Sequence, residues 1–470
     1  MALREAEDLM VFLFNHRVPA AVLLQVMLEA VLFSLAITLA AQFNSSSLLD
    51  NPSIVLLPAL MFASLMVLIS LGLGLYRPDV SVNAIRFIAS RAFALVIGLP
   101  IAYVAFYLVP HSNLFQDALA NSLLLAISGL VLVRGFVFSS IRADLFTHRI
   151  LIVGTGPEAC AVESALDKSK GAGIVVAAFY PLSRSENTMV PRERIIPLET
   201  SLAEATKKLR INEIVVATRE QRGGALPLRH LVDCRLEGIR VTCLPSFYER
   251  FRGELPIDSL KAGWLIYSEG FRQGWGRSFV KRSFDLIASI LLLLVAAPIM
   301  CATAIAILLE SGGPVIYRQE RLGLGGKSFR LLKFRSMTTD AEKDGIPRWS
   351  SAGDSRITAV GHFIRLMRID ELPQIFNVLK GDMSFVGPRP ERPFFVTQLT
   401  EQIPFYRARL SVKPGITGWA QVRFSYGASV EDATKKLQFD LYYVKNHTLL
   451  LDLVILLETV RVVLAGEGAR

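Results

Sequence analysis

The chain has 470 residues, 52% of them hydrophobic and 20% charged, and a mean hydropathy of +0.43. That hydropathy excludes a disordered chain and argues against a wholly soluble enzyme; it points to membrane segments joined to globular parts. Lys+Arg 51 against Asp+Glu 41 gives +10, a charge suited to nucleic acid, anionic lipid or phosphate-rich substrates, but it is not gathered into one polybasic tail. The four cysteines, Cys160, Cys234, Cys243 and Cys301, show no C-x-x-C spacing, so neither a disulfide framework nor a zinc site is expected.

Four apolar runs fill the first third: Val18–Phe43, Ile54–Tyr76, Ala92–Val109 and Ala118–Val133. A helix needs about 20 residues to cross the hydrocarbon core, so the reading is a four-helix transmembrane domain over 1–141. No cleavable signal peptide is expected, because the first run is too long and lacks a cleavage pattern. Arg4, His16 and Arg17 precede the first run, Arg77, Arg86 and Arg91 separate the second from the third, and Arg142, His148 and Arg149 follow the fourth. The other two loops carry no Lys or Arg, which places the N-terminus and everything after residue 141 in the cytoplasm. Glu29 lies mid-span, where an acid is costly; a hydrogen bond inside the helix bundle is the favoured role over a transport pathway.

From 142 to 250 the pattern becomes alternating strand and helix. Strands are predicted at Arg149–Val153, Ile174–Phe179, Glu213–Ala217 and Ile239–Cys243, with helices at Leu202–Leu209 and Leu228–Leu236, a Rossmann-like parallel sheet. Gly154-Thr155-Gly156 followed by Ala159 could cradle a pyrophosphate at a helix start. The second strand, however, runs into Tyr180 and Pro181 with no acid to hold a ribose, so a structural or regulatory domain is expected rather than a redox site.

A linker at 251–278 leads into a 24-residue uncharged run, Leu286–Leu309. Both flanks are basic: Lys281 and Arg282 before, Arg318, Arg321 and Lys327 after. Pro298 in the middle removes a helix hydrogen bond and clashes with the preceding turn. A re-entrant helix hairpin, returning to the cytoplasmic face, satisfies both flanks, where a straight span would export the most polar part of the chain. At the far end, His447–Leu464 is apolar with Asp452, Glu458 and Arg461, and reads as lying along the membrane surface.

Three blocks carry the chemistry within 279–470. The first is Lys333-Phe334-Arg335-Ser336-Met337. The second runs from Arg365 through Arg368, Asp370, Glu371, Pro373 and Gln374, past Asn377, to Gly387-Pro388-Arg389-Pro390. The third is Lys413-Pro414-Gly415-Ile416-Thr417-Gly418-Trp419-Ala420-Gln421-Val422. Asp370 reads as a helix N-cap with Glu371 just inside and Pro373 in the first turn. Neighbouring carboxylates can share a divalent cation, Arg365, Arg368 and Arg389 can fork onto phosphoryl oxygens, and Lys333 adds a point charge. That is equipment for phosphoryl transfer. A cap paired with an arginine explains the spacing equally well.

These linked blocks closely resemble the bacterial polyprenyl-phosphate sugar-1-phosphate transferases, membrane enzymes that initiate exopolysaccharide and O-antigen assembly. The resemblance covers about residues 279–464; the spans and nucleotide-fold domain in front look like the larger, undecaprenyl-phosphate glucose or galactose phosphotransferase type. It implies transfer of a sugar 1-phosphate from a nucleotide diphosphate sugar, a UDP-sugar above all, to polyprenyl phosphate, with release of UMP. It implies Asp370 as nucleophile, Glu371 as its partner at Mg²⁺, and Lys333, Arg365, Arg389, Arg368 and Gln374 on the substrate-binding side. Pro298 falls on the family's helix-breaking proline, although Ala297 stands where many relatives carry Ser. The resemblance further implies a multi-pass protein of the bacterial inner membrane with its catalytic domain on the cytoplasmic face, a homodimer, and no nucleic-acid partner. The rival reading is a membrane-tethered NAD-dependent nucleotide-sugar enzyme, for which no Tyr-x-x-x-Lys dyad occurs in 149–250.

Overall fold

The structure is a computed structural model. It describes residues 10–13, 16–44, 52–72, a subset of 75–129, and 148–464 apart from 168–173, 184–187, 219–225, 258–273, 339–355 and 425–428. The chain divides into two compact units, Met1–Phe247 and Tyr248–Arg470.

The first unit opens with a short hairpin, β1 (Met10–Leu13) and β2 (His16–Pro19), followed by the apolar helices α1 (Ala20–Asn44), α2 (Pro52–Gly72) and α3 (Gly98–Tyr107). Helix α1 packs on α2 through Phe33 and Phe62, whose rings meet edge to face at 6.2 Å. Among the described residues, Gln25–Phe43 of α1 is long and apolar enough to cross a membrane, whereas Leu56–Leu71 and Gly98–Tyr107 are shorter. Most of the fourth run, and the loop arginines Arg77, Arg86, Arg91 and Arg142, lie outside the described residues. Glu29 is fully buried and accepts from Gln25 Nε2 at 2.9 Å, a partner one turn back on its own helix.

The same unit continues as a four-stranded parallel sheet in the order β4-β3-β5-β6, built from β3 (His148–Val153), β4 (Ile174–Tyr180), β5 (Glu213–Val216) and β6 (Arg240–Cys243). Helices α4 (Pro157–Asp167), α5 (Leu202–Leu209) and α6 (Leu228–Leu236) alternate with the strands. Ile150, Leu151, Ile152 and Val153 are essentially inaccessible, as expected of a parallel strand covered on both faces. Each such side chain contributes about 1.5–3 kcal/mol. At the end of β3, Gly154 takes φ +119, and a Cβ there would meet Ala217 O at 2.9 Å. Only glycine accepts both conditions.

The second unit begins in α7 (Leu244–Arg252), whose last residues belong to it, and is dominated by α8 (Trp275–Ser311), 37 residues that run through Pro298 as one helix. An antiparallel hairpin follows, β7 (Ile316–Leu322) with β8 (Ser328–Phe334), then α9 (Ala359–Leu366), α10 (Gln374–Lys380), β9 (Ser384–Val386), α11 (Pro393–Gln402), β10 (Gly415–Thr417), α12 (Trp419–Arg423), α13 (Val430–Asn446) and α14 (Leu449–Leu464). Strands β9 and β10 are parallel. Their loops approach so closely that a Cβ on Gly415 would lie 2.1 Å from Gly387 N, which explains the glycines of two sequence blocks at once. Helices α10 to α14 surround a core in which Val378, Met383, Leu441, Val444 and Ile455 have no accessible surface.

Helix α14 is amphipathic in the inverse sense. Asp452 and Glu458 face inward with Leu451 and Ile455, while Leu453 and Val460 are exposed. Asp452 is held by Lys281 Nζ and Tyr443 Oη, each at 2.7 Å. Trp419 is buried, stacks on Tyr442 and donates to Gly253 O at 2.7 Å, a core role.

Candidate active site

Lys333 sits near the end of β8, opposite Tyr317 in the hairpin register. Helix α9 carries Arg365 in its last turn and is closed by Arg368 in the left-handed region, φ 58. The chain then makes a 3₁₀ turn, Ile369–Glu371, before α10 starts. Asp370 is therefore not the N-cap expected from sequence. The position before α10 is Pro373, which offers no side-chain cap. The left-handed residue turns the backbone sharply, and both carboxylates are carried inward on the 3₁₀ turn: Asp370 is 7% and Glu371 8% exposed. Gln374 is buried at the first turn of α10.

The carboxylates meet cations from two other elements. Lys333 Nζ and Arg389 Nη2 both donate to Glu371 Oε1 at 2.8 Å, and Lys333 Nζ lies 3.9 Å from Asp370 Oδ2. The environments split the pair. Burial alone would raise Glu371, but the two contacting cations hold its carboxyl well below the usual range. Asp370 is raised, first by burial and then by the charge of Glu371, against the pull of Lys333, Arg389 and Arg365. Two carboxylates pushed in opposite directions mark a site prepared for chemistry.

Supporting residues that sequence reading passed over fix this geometry. Asn377 Oδ1 accepts from Leu332 N at 3.0 Å and its Nδ2 donates to Arg330 O at 2.8 Å, locking α10 to the strand that carries Lys333. Arg409, buried on the 3₁₀ turn Tyr406–Ser411, donates to Arg389 O at 2.9 Å and pairs with Asp440 Oδ2 at 2.8 Å. Asp285 of α8 accepts from Ser384 Oγ and Phe385 N at 3.0 and 3.2 Å. For Asn377, Asp440, Arg409 and Asp285 the signal in the sequence is a polar residue between two apolar neighbours, with other polar residues close by. Arg335, from the first block, stays away from the carboxylates and ties Ser311 O and Gly312 O at the end of α8. Pro298 lies within α8 between the segments that touch the globular core.

The donor set fits a hard divalent cation. Both cation contacts fall on Oε1 of Glu371, which leaves Oε2 and the Asp370 carboxylate as oxygen donors. Mg²⁺ is usually held by one or two carboxylates together with substrate phosphates rather than by a protein cage. Among the described residues no group of three or more His, Cys, Asp or Glu is placed to hold a metal ion.

The profile of the bacterial sugar transferases matches residues 276–466, which hold every residue of this site. The chain is 45% identical over 245 residues to an N-acetylgalactosaminephosphotransferase of Aeromonas hydrophila named for UDP-N-acetylgalactosamine and undecaprenyl phosphate. That match covers 52% of this chain and 56% of the relative. It is 34% identical over 356 residues to the undecaprenyl-phosphate galactose phosphotransferase of Salmonella typhimurium, 70% of each. It is 42% identical over 183 residues to an Escherichia coli UDP-glucose:undecaprenyl-phosphate glucose-1-phosphate transferase, 38% of this chain and 39% of the relative. The chain thus spans little more than half the length of the first of these and well under half of the third.

Proposed function

The chain belongs to the bacterial sugar transferase family, and on that premise we propose that it transfers a sugar 1-phosphate from a UDP-sugar to undecaprenyl phosphate. The observation that carries this reading is the buried Asp370 beside a Glu371 clamped by Lys333 and Arg389. An Asp370 oxygen attacks the phosphorus that bears the sugar. The pyrophosphate bond breaks, UMP leaves with the bridging oxygen, and an acyl phosphate joins Asp370 to the sugar. An oxygen of undecaprenyl phosphate then attacks the same phosphorus and the Asp370 carboxylate departs, giving a sugar on an undecaprenyl diphosphate. A carboxylate is a weak nucleophile, so placement and charge neutralisation supply the acceleration. Asp370 and Glu371 would hold Mg²⁺, which contributes Lewis-acid neutralisation of the phosphates. Lys333, Arg365, Arg368 and Arg389 orient phosphoryl oxygens, with Gln374 on the same substrate-binding side.

The membrane arrangement follows the same reading. Arg282, near the start of α8, donates to Val378 O and Leu379 O at 2.6 and 2.7 Å, and Val360 N donates to Glu310 Oε1 near its end at 2.9 Å. Between these anchors Ile287, Leu291, Leu294 and Val295 are exposed. Both ends docked on one globular unit, with an apolar stretch and Pro298 between them, suits a helix that enters the bilayer and returns. The catalytic unit then lies on the cytoplasmic face of the inner membrane.

The test is incubation with labelled UDP-sugar and no lipid acceptor. The protein should release UMP and retain label on Asp370, and Asp370→Asn should do neither. If UMP appears only after lipid is added, the two-step mechanism fails.

A further inference from the structure

Beside Glu371 lies a cavity of about 200 Å³ whose lining includes Arg368, Glu371 and Arg389. That is smaller than the roughly 300–1,000 Å³ of pockets that take whole drug-sized ligands. It has room for one ring, not for an entire nucleotide sugar. The rest of the lining combines Glu391, Arg409, Lys436 and Asp440 with Gln421, and Ile416, Val422 and Phe424 are among its apolar side chains.

Gln421 is the informative residue. Its Nε2 donates to Ile416 O at 3.1 Å, which fixes the orientation of the amide. Its Oε1 is buried and accepts no hydrogen bond. A buried acceptor without a donor costs about 1–3 kcal/mol, and a ligand hydroxyl in the adjoining cavity would relieve it.

Three groups of the two substrates compete for this space. A pyrophosphate is disfavoured, because the lining cations Arg368, Arg389, Arg409 and Lys436 are already matched by Glu371, Glu391 and Asp440, which leaves little net positive charge for a whole diphosphate. An isoprenoid unit would strip water from Lys436, Asp440 and Gln421 and return no hydrogen bond. A pyranose ring has hydroxyls that donate and accept, and a face of C–H groups for the apolar side. We infer that this cavity receives the sugar ring of the donor, and that Gln421 and Lys436 select which sugar is transferred. The inference rests on the proposed transferase reading: the phosphate held by Arg389 and Arg368 delivers its ring into the space behind Glu371.

The experiment measures, on the purified protein in detergent, binding of UDP and of UDP-glucose, UDP-galactose and their N-acetylated 2-amino counterparts. The preferred UDP-sugar should bind more tightly than UDP. Gln421→Leu should erase most of that increment while leaving UDP affinity within twofold. Turnover should show the same selectivity, with kcat/KM for the preferred donor falling at least tenfold relative to its epimer and KM for polyprenyl phosphate unchanged. Lys436→Met should alter the donor ranking in its own way, which keeps the inference testable if the first variant misfolds. A loss of UDP affinity would assign the cavity to the nucleotide, and a raised lipid KM would assign it to the isoprenoid; either overturns the inference. An equal fall for every donor would make Gln421 a structural residue and overturn it too. If the sugar increment is present and erased by Gln421→Leu but the wild-type protein transfers nothing, the transferase reading fails while the sugar subsite stands.

Discussion

Lys333 and Arg389 converge on one oxygen of Glu371, so deleting either cation acts on both carboxylates. Lys333→Met removes a hydrogen bond from Glu371 and a positive charge 3.9 Å from Asp370. Both groups should then ionise at higher pH, and the acidic limb of the kcat/KM profile should move upward. The sign for stability is the same. A depressed Glu371 stabilises the fold above its unfolded pKa of 4.5 and loses that contribution as pH falls through its lower folded value. Acid unfolding of Lys333→Met should therefore begin at higher pH than in the wild type. An unchanged acidic limb would show that Lys333 does not govern these carboxylates. Asp440 behaves oppositely. Burial raises it to about 6 from 3.8, against the pull of Arg409 and with Glu391 adding to the rise. Its contribution is full below 3.8 and is lost as pH rises through about 6. The stability of wild type minus that of Asp440→Asn should decline by roughly 3 kcal/mol between about pH 4 and pH 7. Denaturant titrations at the two pH values measure it, and a difference independent of pH would contradict the assignment.

Helix α8 is the element on which the membrane geometry depends. Its N-terminal part is joined to the globular unit by Arg282 and by the buried Asp285, and its C-terminal part by Glu310, by Arg335 and by the packing of Ile307 on Phe334 and Ile364. At about 1.5 Å per residue, a straight helix of 37 residues would extend about 55 Å, far beyond the hydrocarbon core. Single cysteines placed at Arg282 and Lys327 should be labelled by an impermeant thiol reagent from the same, cytoplasmic side. Labelling from opposite sides would require a crossing helix and would overturn the re-entrant arrangement. Helix α14 complements α8. With its acids turned inward and Leu453 and Val460 outward, it presents an exposed apolar face while its charges serve the core.

Within the whole molecule the two units have separate work. In the first, the glycine turn after β3 is already used by the chain: Gly154 N donates to Tyr180 O and Met189 N donates to Thr155 O, both at 2.8 Å. The Gly154 amide is thus taken up by the neighbouring strand, and β4 ends at Tyr180, followed by Pro181, with no acid to hold a ribose. The purified protein should therefore show no micromolar binding of NAD or NADP by calorimetry. Micromolar binding would revive the dehydrogenase-like reading. In the second unit, every residue placed at the site belongs to one compact body with its own core.

Local patterning made much of this legible in advance. The parallel sheet follows from four short apolar runs; helices Leu202–Leu209 and Leu228–Leu236 appear with the bounds read from sequence, and the strands shift by one residue at an end. Lys333, Asp370, Glu371 and Arg389 stand out as a set through the family resemblance of their blocks, since residue type and spacing alone fit a capped helix equally well. Their pairing does not. Glu371 finds partners 38 and 18 residues away, and Arg409 pairs with an aspartate on another helix. The expected N-cap at Asp370 gave way to a 3₁₀ turn because Arg368 takes a left-handed conformation, which no side-chain pattern announces. Periodicity and motif chemistry depend on near neighbours, so the sequence specified the elements and the reactive groups. Which oxygen each cation reaches, and which acceptor is left facing a cavity, depends on packing between distant segments, and there the folded chain alone gives the answer.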